Sequence, residues 1–332
     1  MRHTRIAVVT TTISGSISDW SKVRHIVPLF AKSGHDDVSV SSVDTHWEAR
    51  IKTRELVDSG SRIIISAGGS GTFNSVLEGC LDSGINLSEI KLGFLRKGSA
   101  DVLGKTLDMP DDVGEAVRVL SQSIRDKKTV KCDVIRATCE ADGGPPRHFV
   151  GFAGAEIFGE IPRFTESRFV KYYKGILGQV FGDLGPFTVG AVLATLRKIL
   201  YSIAGKRIKW QIFVDGQPVA KGHYQALIVL NGDLGPDLPF AKWAPLGSGE
   251  FYLITLRDMG LSLLPGQFKH AWDASVLGNP ETWGFASYTV RKALRIAADN
   301  KVGFSVNVDG MLLPCSDTVR FDICGQVALL AR

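Results

Sequence analysis

The chain has 332 residues, 44% of them hydrophobic and 22% charged, with a formal net charge of +5. That length predicts two domains, and that composition excludes a disordered chain. The mild, dispersed basicity suits anionic small molecules or an anionic membrane surface and argues against a nucleic-acid partner.

Residues 5–10 read as a buried strand, followed by a Ser/Thr/Gly-rich loop from Thr11 to Ser18. A helix is predicted near 20–33, ending at Gly34, then a strand over 38–43 and a helix over 46–59. Arg62 to Ser66 is another buried strand, and it runs into Gly68-Gly69-Ser70-Gly71-Thr72 and a helix reaching about Asp82. A fourth strand at 91–95 and a helix at 111–125 complete a domain of residues 1–130. Strands alternating with helices predict an α/β nucleotide-binding domain with a parallel sheet. Beyond it, strands at 131–139, 147–153, 208–215, 223–231, 250–257, 293–298 and 303–309 predict a mostly antiparallel, β-sandwich-like domain over 131–332. A helical insert at about 166–204 interrupts it, and glycines 175, 178, 182 and 185 with Pro186 split that insert into two short helices.

No stretch approaches the roughly 18 apolar residues of a membrane span, and Ile6–Val9 is too short for a signal peptide. Cys80, Cys132, Cys139, Cys315 and Cys324 are odd in number and lack zinc or redox spacing, so they read as unpaired thiols of a reducing compartment. The chain is expected to be cytoplasmic. Peripheral membrane contact is expected through the insert, which carries Arg168, Lys171, Lys174, Arg197 and Lys198 among apolar residues and tyrosines. The sequence sets no oligomeric state.

A strand that ends in Gly-Gly-x-Gly-Thr and opens a helix has a direct use. Glycines let the backbone approach a ligand closely, and the N–H groups at the helix start face an anion with help from the helix dipole. Phosphate is the natural guest. Two familiar phosphate motifs are absent. Asn74 stands where the dinucleotide fingerprint needs its third glycine, and Gly98 and Gly104 have one residue too many between them for a Walker A loop.

Ala67-Gly-Gly-Ser-Gly-Thr-Phe-Asn-Ser-Val76, Gly93-Phe-Leu-Arg-Lys-Gly-Ser-Ala-Asp101 and Val308-Asp-Gly-Met311 occur in the order and spacing of three family motifs. Together they resemble the diacylglycerol kinase-like lipid kinases, whose superfamily includes sphingosine kinases and NAD kinases. Val229-Leu-Asn-Gly232 and the stretch Phe149 to Gly154 are weaker echoes. The resemblance implies ATP as phosphoryl donor, Mg²⁺, a lipid alcohol as acceptor, and a last segment that packs back on the first domain. It assigns Gly68, Gly69, Ser70, Gly71 and Thr72 to the phosphate loop and Asn74 to a nucleotide-side position. It assigns Lys97, Gly98 and Ser99 to a second nucleotide loop, and Asp101 and Asp309 to catalysis and metal binding.

Against the family pattern, Ser70 replaces the loop aspartate, Ser75 the helix glutamate and Met311 the glutamate of Asp-Gly-Glu. Arg96 and Ala100 replace a proline and an asparagine. A serine or methionine cannot take a hydroxyl proton near neutral pH as a carboxylate can, and general-base help is typically worth ~10²–10⁴-fold in rate. Arg96 and Lys97 are expected to offset part of that loss by neutralising phosphate charge. Three functions stay open on the sequence: a lipid kinase, a non-catalytic nucleotide or lipid binder on the same fold, and an NAD kinase-like enzyme.

Overall fold

The computed structural model describes residues 5–12, 23–96, 102–165, 185–203, 207–235, 238–272, 274–299 and 303–331. The chain forms two compact units, Met1–Val134 together with Gly325–Arg332, and Ile135–Cys324.

In the first unit β1 (Ile6–Thr11), β2 (Val38–Val43), β3 (Ile63–Gly68) and β4 (Lys91–Arg96) pair in parallel in the order β2-β1-β3-β4. β1 and β3 are buried at every position, which explains their unbroken apolar runs. The helices are α1 (Ile26–Lys32), α2 (His46–Asp58), α3 (Ser70–Asp82), α4 (Val102–Thr106) and α5 (Val113–Asp126). Side-chain caps start two of them: Thr45 accepts from the Glu48 amide at α2, and Asp112 from the Glu115 amide at α5.

α3 lies against α2 through Gly79, where a Cβ would fall 2.4 Å from the Arg50 carbonyl oxygen and 2.6 Å from Thr53 Cβ. Gly79→Ala must therefore push the two helices apart, a cost of roughly 1–3 kcal/mol typical of overpacking. Denaturant unfolding reads that cost directly. Unchanged stability would show that the two helices yield freely.

The second unit contains two sheets. One has the order β12-β11-β10-β7-β14-β15, antiparallel throughout. Its strands are β7 (Phe152–Glu156), β10 (Tyr224–Leu230), β11 (Phe251–Arg257), β12 (Phe285–Val290), β14 (Phe304–Val308) and β15 (Met311–Cys315). The other is built from β5 (Thr129–Cys139), β6 (Arg147–Phe149), β8 (Trp210–Val214), β9 (Gln217–Gly222), β13 (Ala293–Ala298) and β16 (Thr318–Leu330). Phe149, Trp210, Leu227, Phe251, Phe304 and Phe321 belong to one buried cluster of this unit. β16 begins in the second unit beside β13 and ends in the first, where Ala328 and Leu329 pair in parallel with Lys91 and Leu92 of β4.

α6 (Ile157–Thr165), α7 (Gly185–Ile203) and α8 (Leu264–Trp272) complete the second unit. Of the expected insert, residues 166–184 and 204–206 lie outside the described residues. The part that is described is one helix of 19 residues, with Pro186 in its first turn, where a missing N–H breaks no helical bond.

One expectation is corrected. Cys139 and Cys315 are joined in a disulfide across 176 residues of sequence. No local spacing could announce it, because the pairing arises only when the ends of β5 and β15 meet. Cys80, Cys132 and Cys324 take no part in it.

Candidate functional site

In the first unit β3 ends at Gly68 and α3 begins at Ser70. A Cβ at Gly68 would lie 2.5 Å from Thr72 Oγ1, so only glycine lets the strand turn so tightly into the helix. Gly69 is the N-cap, in extended conformation (φ −95°, ψ −172°), with no side chain capping the helix. A Cβ at Gly69 would meet nothing within 4 Å. The first helical bond is donated by the Phe73 amide to the Gly69 carbonyl. The amides of Ser70 and Gly71 therefore lead a helix of 13 residues into open space, with the dipole favouring an anion there.

Thr72 is fully buried, and its Oγ1 lies 2.8 Å from Thr11 Oγ1, which ties the helix start to the end of β1. The loop thus sits at the carboxyl ends of parallel strands, where open α/β sheets hold their ligands. Asn74 is buried within α3. Arg96, at the end of β4, donates to the Met109 carbonyl (3.3 Å) and pairs with Asp111 at 2.8 Å. Asp111 is largely exposed, so this is a surface pair of small worth. Lys97, Gly98, Ser99 and Asp101 lie outside the described residues.

In the second unit Asp309 and Gly310 form the two-residue turn between β14 and β15, both with positive φ (45° and 89°). This is the hairpin geometry that Asp-Gly favours. The Asp309 side chain points inward and is buried. Its Oδ2 accepts from the amides of Val150 (3.0 Å) and Gly151 (3.2 Å), and its Oδ1 from the amide of Phe152 (2.8 Å). Asn231 holds the same segment: its side chain donates to the Val150 carbonyl at 2.8 Å and its amide to the Gly151 carbonyl at 3.1 Å. Burial pushes the Asp309 carboxyl up to about 6, against the pull of the three amides. The Asp215-Gly216 turn has the same backbone, and its carboxylate also receives three amides. There the slight burial loses to the amides of Lys292, Ala293 and Arg291, and the carboxyl titrates below its ordinary value.

The second unit also has an open cavity of about 830 Å³ lined partly by Ile157, Ala194, Ile208, Phe304 and Leu313. Charged side chains share its wall in pairs. Arg197 meets Glu160 at 2.6 Å and Arg207 meets Asp258 at 2.5 Å. Lys198 pairs with Glu156 and donates to the Tyr224 carbonyl, and Trp210 Nε1 donates to Glu156 at 2.5 Å. Arg197 and Lys198, read from sequence as part of a basic surface, are turned to the half-buried acids Glu160 and Glu156, because a charge leaving water needs an opposite partner. What α7 exposes instead is an apolar row, Val192, Leu196 and Leu200 at four-residue spacing, with Leu193 beside it.

Residues 5–137 match the diacylglycerol kinase catalytic domain. The chain is 25% identical over 277 residues to a diacylglycerol kinase of Staphylococcus haemolyticus, covering 82% of this chain and 72% of that one. It is also 25% identical to a diacylglycerol kinase of Staphylococcus carnosus, covering 69% and 74%. Among solved structures, a candidate diacylglycerol kinase of Bacillus anthracis superposes with a TM-score of 0.71 at 18% identity, over 100% of this chain and 98% of that one. A diacylglycerol kinase of the same organism gives 0.65 at 16% identity, with the same coverage. The first unit is thus similar to the diacylglycerol kinase catalytic domain, and the chain as a whole has the fold of those solved structures.

Against that family's pattern the chain departs where proton chemistry is expected. Ser70 is the first residue of α3 and carries no charge. The Ser75 hydroxyl donates back to the Gly71 carbonyl at 3.0 Å, an internal helix bond. Met311 opens β15 directly after the Asp309 turn. ATP fits the start of α3, since amides leading a helix suit phosphate oxygens and none of the described residues fills the space at Gly69. Mg²⁺ does not fit Asp309 as placed, because a metal would have to share oxygens that already hold three amides in a buried pocket.

Sequence reasoning missed the cavity, the Arg96–Asp111 pair and the Asn231 clasp. The first two bring together residues far apart in the chain or paired through side chains alone. Asn231-Gly232 did stand out as a motif, and Gly232 has a φ of 157° with its would-be Cβ 2.9 Å from the Ala244 carbonyl oxygen.

Proposed function

We propose that this protein transfers the γ-phosphate of ATP to the hydroxyl of a lipid alcohol of the diacylglycerol type. The observation that carries the reading is the start of α3: an uncapped helix of 13 residues, reached through glycines, with open space at Gly69. The amides of Ser70 and Gly71 would bind phosphate oxygens and hold the donor in place, and positioning with charge stabilisation is most of what phosphoryl transfer requires. The second unit's cavity is roomy and largely apolar enough for part of an amphiphile. The exposed row Val192, Leu196 and Leu200 supports contact with a lipid surface from which such a substrate is drawn. No helix among the described residues is long and apolar enough to cross a membrane.

The deciding assay is transfer of label from γ-labelled ATP to a panel of diglycerides, sphingoid bases and NAD, with Asp101→Asn alongside. The expected result is a labelled lipid that the variant does not make. A labelled NAD product would replace the lipid by a soluble substrate.

A second reading has its own support. Ser70, Ser75 and Met311 leave no carboxylate at three family positions, and Asp309 is committed to amides. On that reading the chain binds nucleotide or lipid without chemistry. Ser70→Asp separates the two. Restored carboxylate chemistry is expected to raise transfer by about 10-fold or more, within the range of general-base contributions. No gain, in a variant that still binds ATP, would count against a missing base at this position.

A further inference from the structure

Cys139 closes β5 and Cys315 closes β15, with their Cα atoms 5.4 Å apart and their sulfurs bonded. Both line the cavity of the second unit. The two segments meet again just beyond. Asp142 accepts from the Ser316 amide at 2.9 Å and from the Ser316 hydroxyl, and the Glu140 amide donates to the Thr318 carbonyl at 3.0 Å. Among the described strands β15 is the outermost of its sheet, bonded on one side to β14. The disulfide therefore fixes a sheet edge to a strand of the other sheet, along one wall of the cavity.

The two cysteines belong to the buried cluster of this unit and also line its cavity, a space large enough to admit a small thiol. Loss of the bond would free an edge strand held otherwise by β14 and a few hydrogen bonds. We propose that Cys139 and Cys315 form a reversible thiol–disulfide site. Oxidised, it fastens the β15 edge to β5; reduced by a low-molecular-weight thiol that enters through the cavity, it lets that wall move. In the first step an external thiolate attacks one sulfur, the Cys139–Cys315 bond breaks, and the other sulfur leaves as a thiolate. A second external thiolate then attacks the mixed disulfide and departs as a small-molecule disulfide. In balance, one protein disulfide and two thiols give two protein thiols and one small disulfide, with the two protons passing from the external thiols to the cysteines. The reverse reaction uses the small disulfide as oxidant. None of this depends on what the cavity binds.

The test uses the full chain equilibrated in glutathione buffers from fully oxidised to fully reduced, then quenched with acid and alkylated with a mass tag. Peptides carrying Cys139 and Cys315 are expected to gain the tag together as the buffer becomes reducing. Cys80, fully buried and outside the pair, stays untagged and reports that the fold is intact. Hydrogen exchange of residues 139–142 and 311–316 is expected to quicken about tenfold or more on reduction. The Cys139→Ser/Cys315→Ser double variant should exchange at the reduced rate in every buffer. Tagging of both cysteines in the oxidised buffer would overturn the proposal. So would a bond that resists excess dithiothreitol in the native fold, or exchange rates that match between the two states of the unaltered protein.

Discussion

Gly69→Val is expected to weaken nucleotide binding about 100-fold while the circular dichroism spectrum and unfolding midpoint hold. Gly69 has an ordinary extended backbone that valine adopts readily, and a Cβ there meets nothing within 4 Å among the described residues. The fold has no reason to object. A bound phosphate does, because the isopropyl group would occupy the space in front of the Ser70 and Gly71 amides. Losing those contacts should weaken ATP by on the order of 100-fold, about 2.7 kcal/mol. Titration of ATP into the variant and the unaltered protein measures it. Equal affinities would move the nucleotide away from this loop. Gly68 makes the contrasting control, since its would-be Cβ collides with Thr72 and a substitution there should damage the fold itself.

The largest stability loss is expected at Asp309. Asp309→Ala strips three buried amides, those of Val150, Gly151 and Phe152, of their acceptor. An orphaned buried donor costs about 1–3 kcal/mol, so the variant should lose roughly 3 kcal/mol or more even if water enters the gap. Denaturant unfolding is the measurement, and a loss below about 1 kcal/mol would show that the carboxylate does not hold this segment. Asp309→Asn should fall between, because its NH₂ must face one amide that needs an acceptor.

The pH dependence has a definite sign. Burial raises the folded-state pKa of Asp309 from 3.8 to about 6, so the folded chain holds its proton more tightly than the unfolded one. That contribution is complete below the unfolded value and fades as pH rises through about 6. Relative to Asp309→Asn, the unaltered protein should be more stable near pH 4 than near pH 7, by roughly 1–3 kcal/mol.

Much of the first unit was legible because its strands are short, apolar and β-branched, and its helices end at recognisable signals. The strand over Lys91–Arg96 falls within a residue of its expected bounds, and the helix over Ser70–Asp82 ends where expected but starts three residues early, taking in Ser70, Gly71 and Thr72. The glycine turn between β3 and α3 was legible for the same reason: glycines between strand and helix carry a conformational meaning that needs no tertiary knowledge. The second unit was harder. β9 contains Pro218, which an exposed edge strand tolerates and a sequence pattern reads as a break. β16 carries Arg320, Asp322 and Gly325 through 13 residues, so its composition hides one continuous strand. The expected strand over 147–153 is two, because residues 150 and 151 leave the sheet to meet Asp309 and Asn231. Asp309 stood out from the motif, but whether its carboxylate faces a ligand or its own backbone depends on a segment about 158 residues away. Only the folded chain decides that.

The course of β16 sets a timetable for synthesis. A ribosome releases the stretch from Ile6 to Val134 long before it reaches Gly325, and until then Lys91 and Leu92 of β4 lack the neighbour that Ala328 and Leu329 supply. The unit that begins first is therefore among the last to be completed, with one margin of its sheet bare while the whole of the other unit is made. A bare margin of strand is a template for wrong partners. Nascent chains halted before residue 325 should accordingly engage holding chaperones through β4 and let go once the final strand has docked.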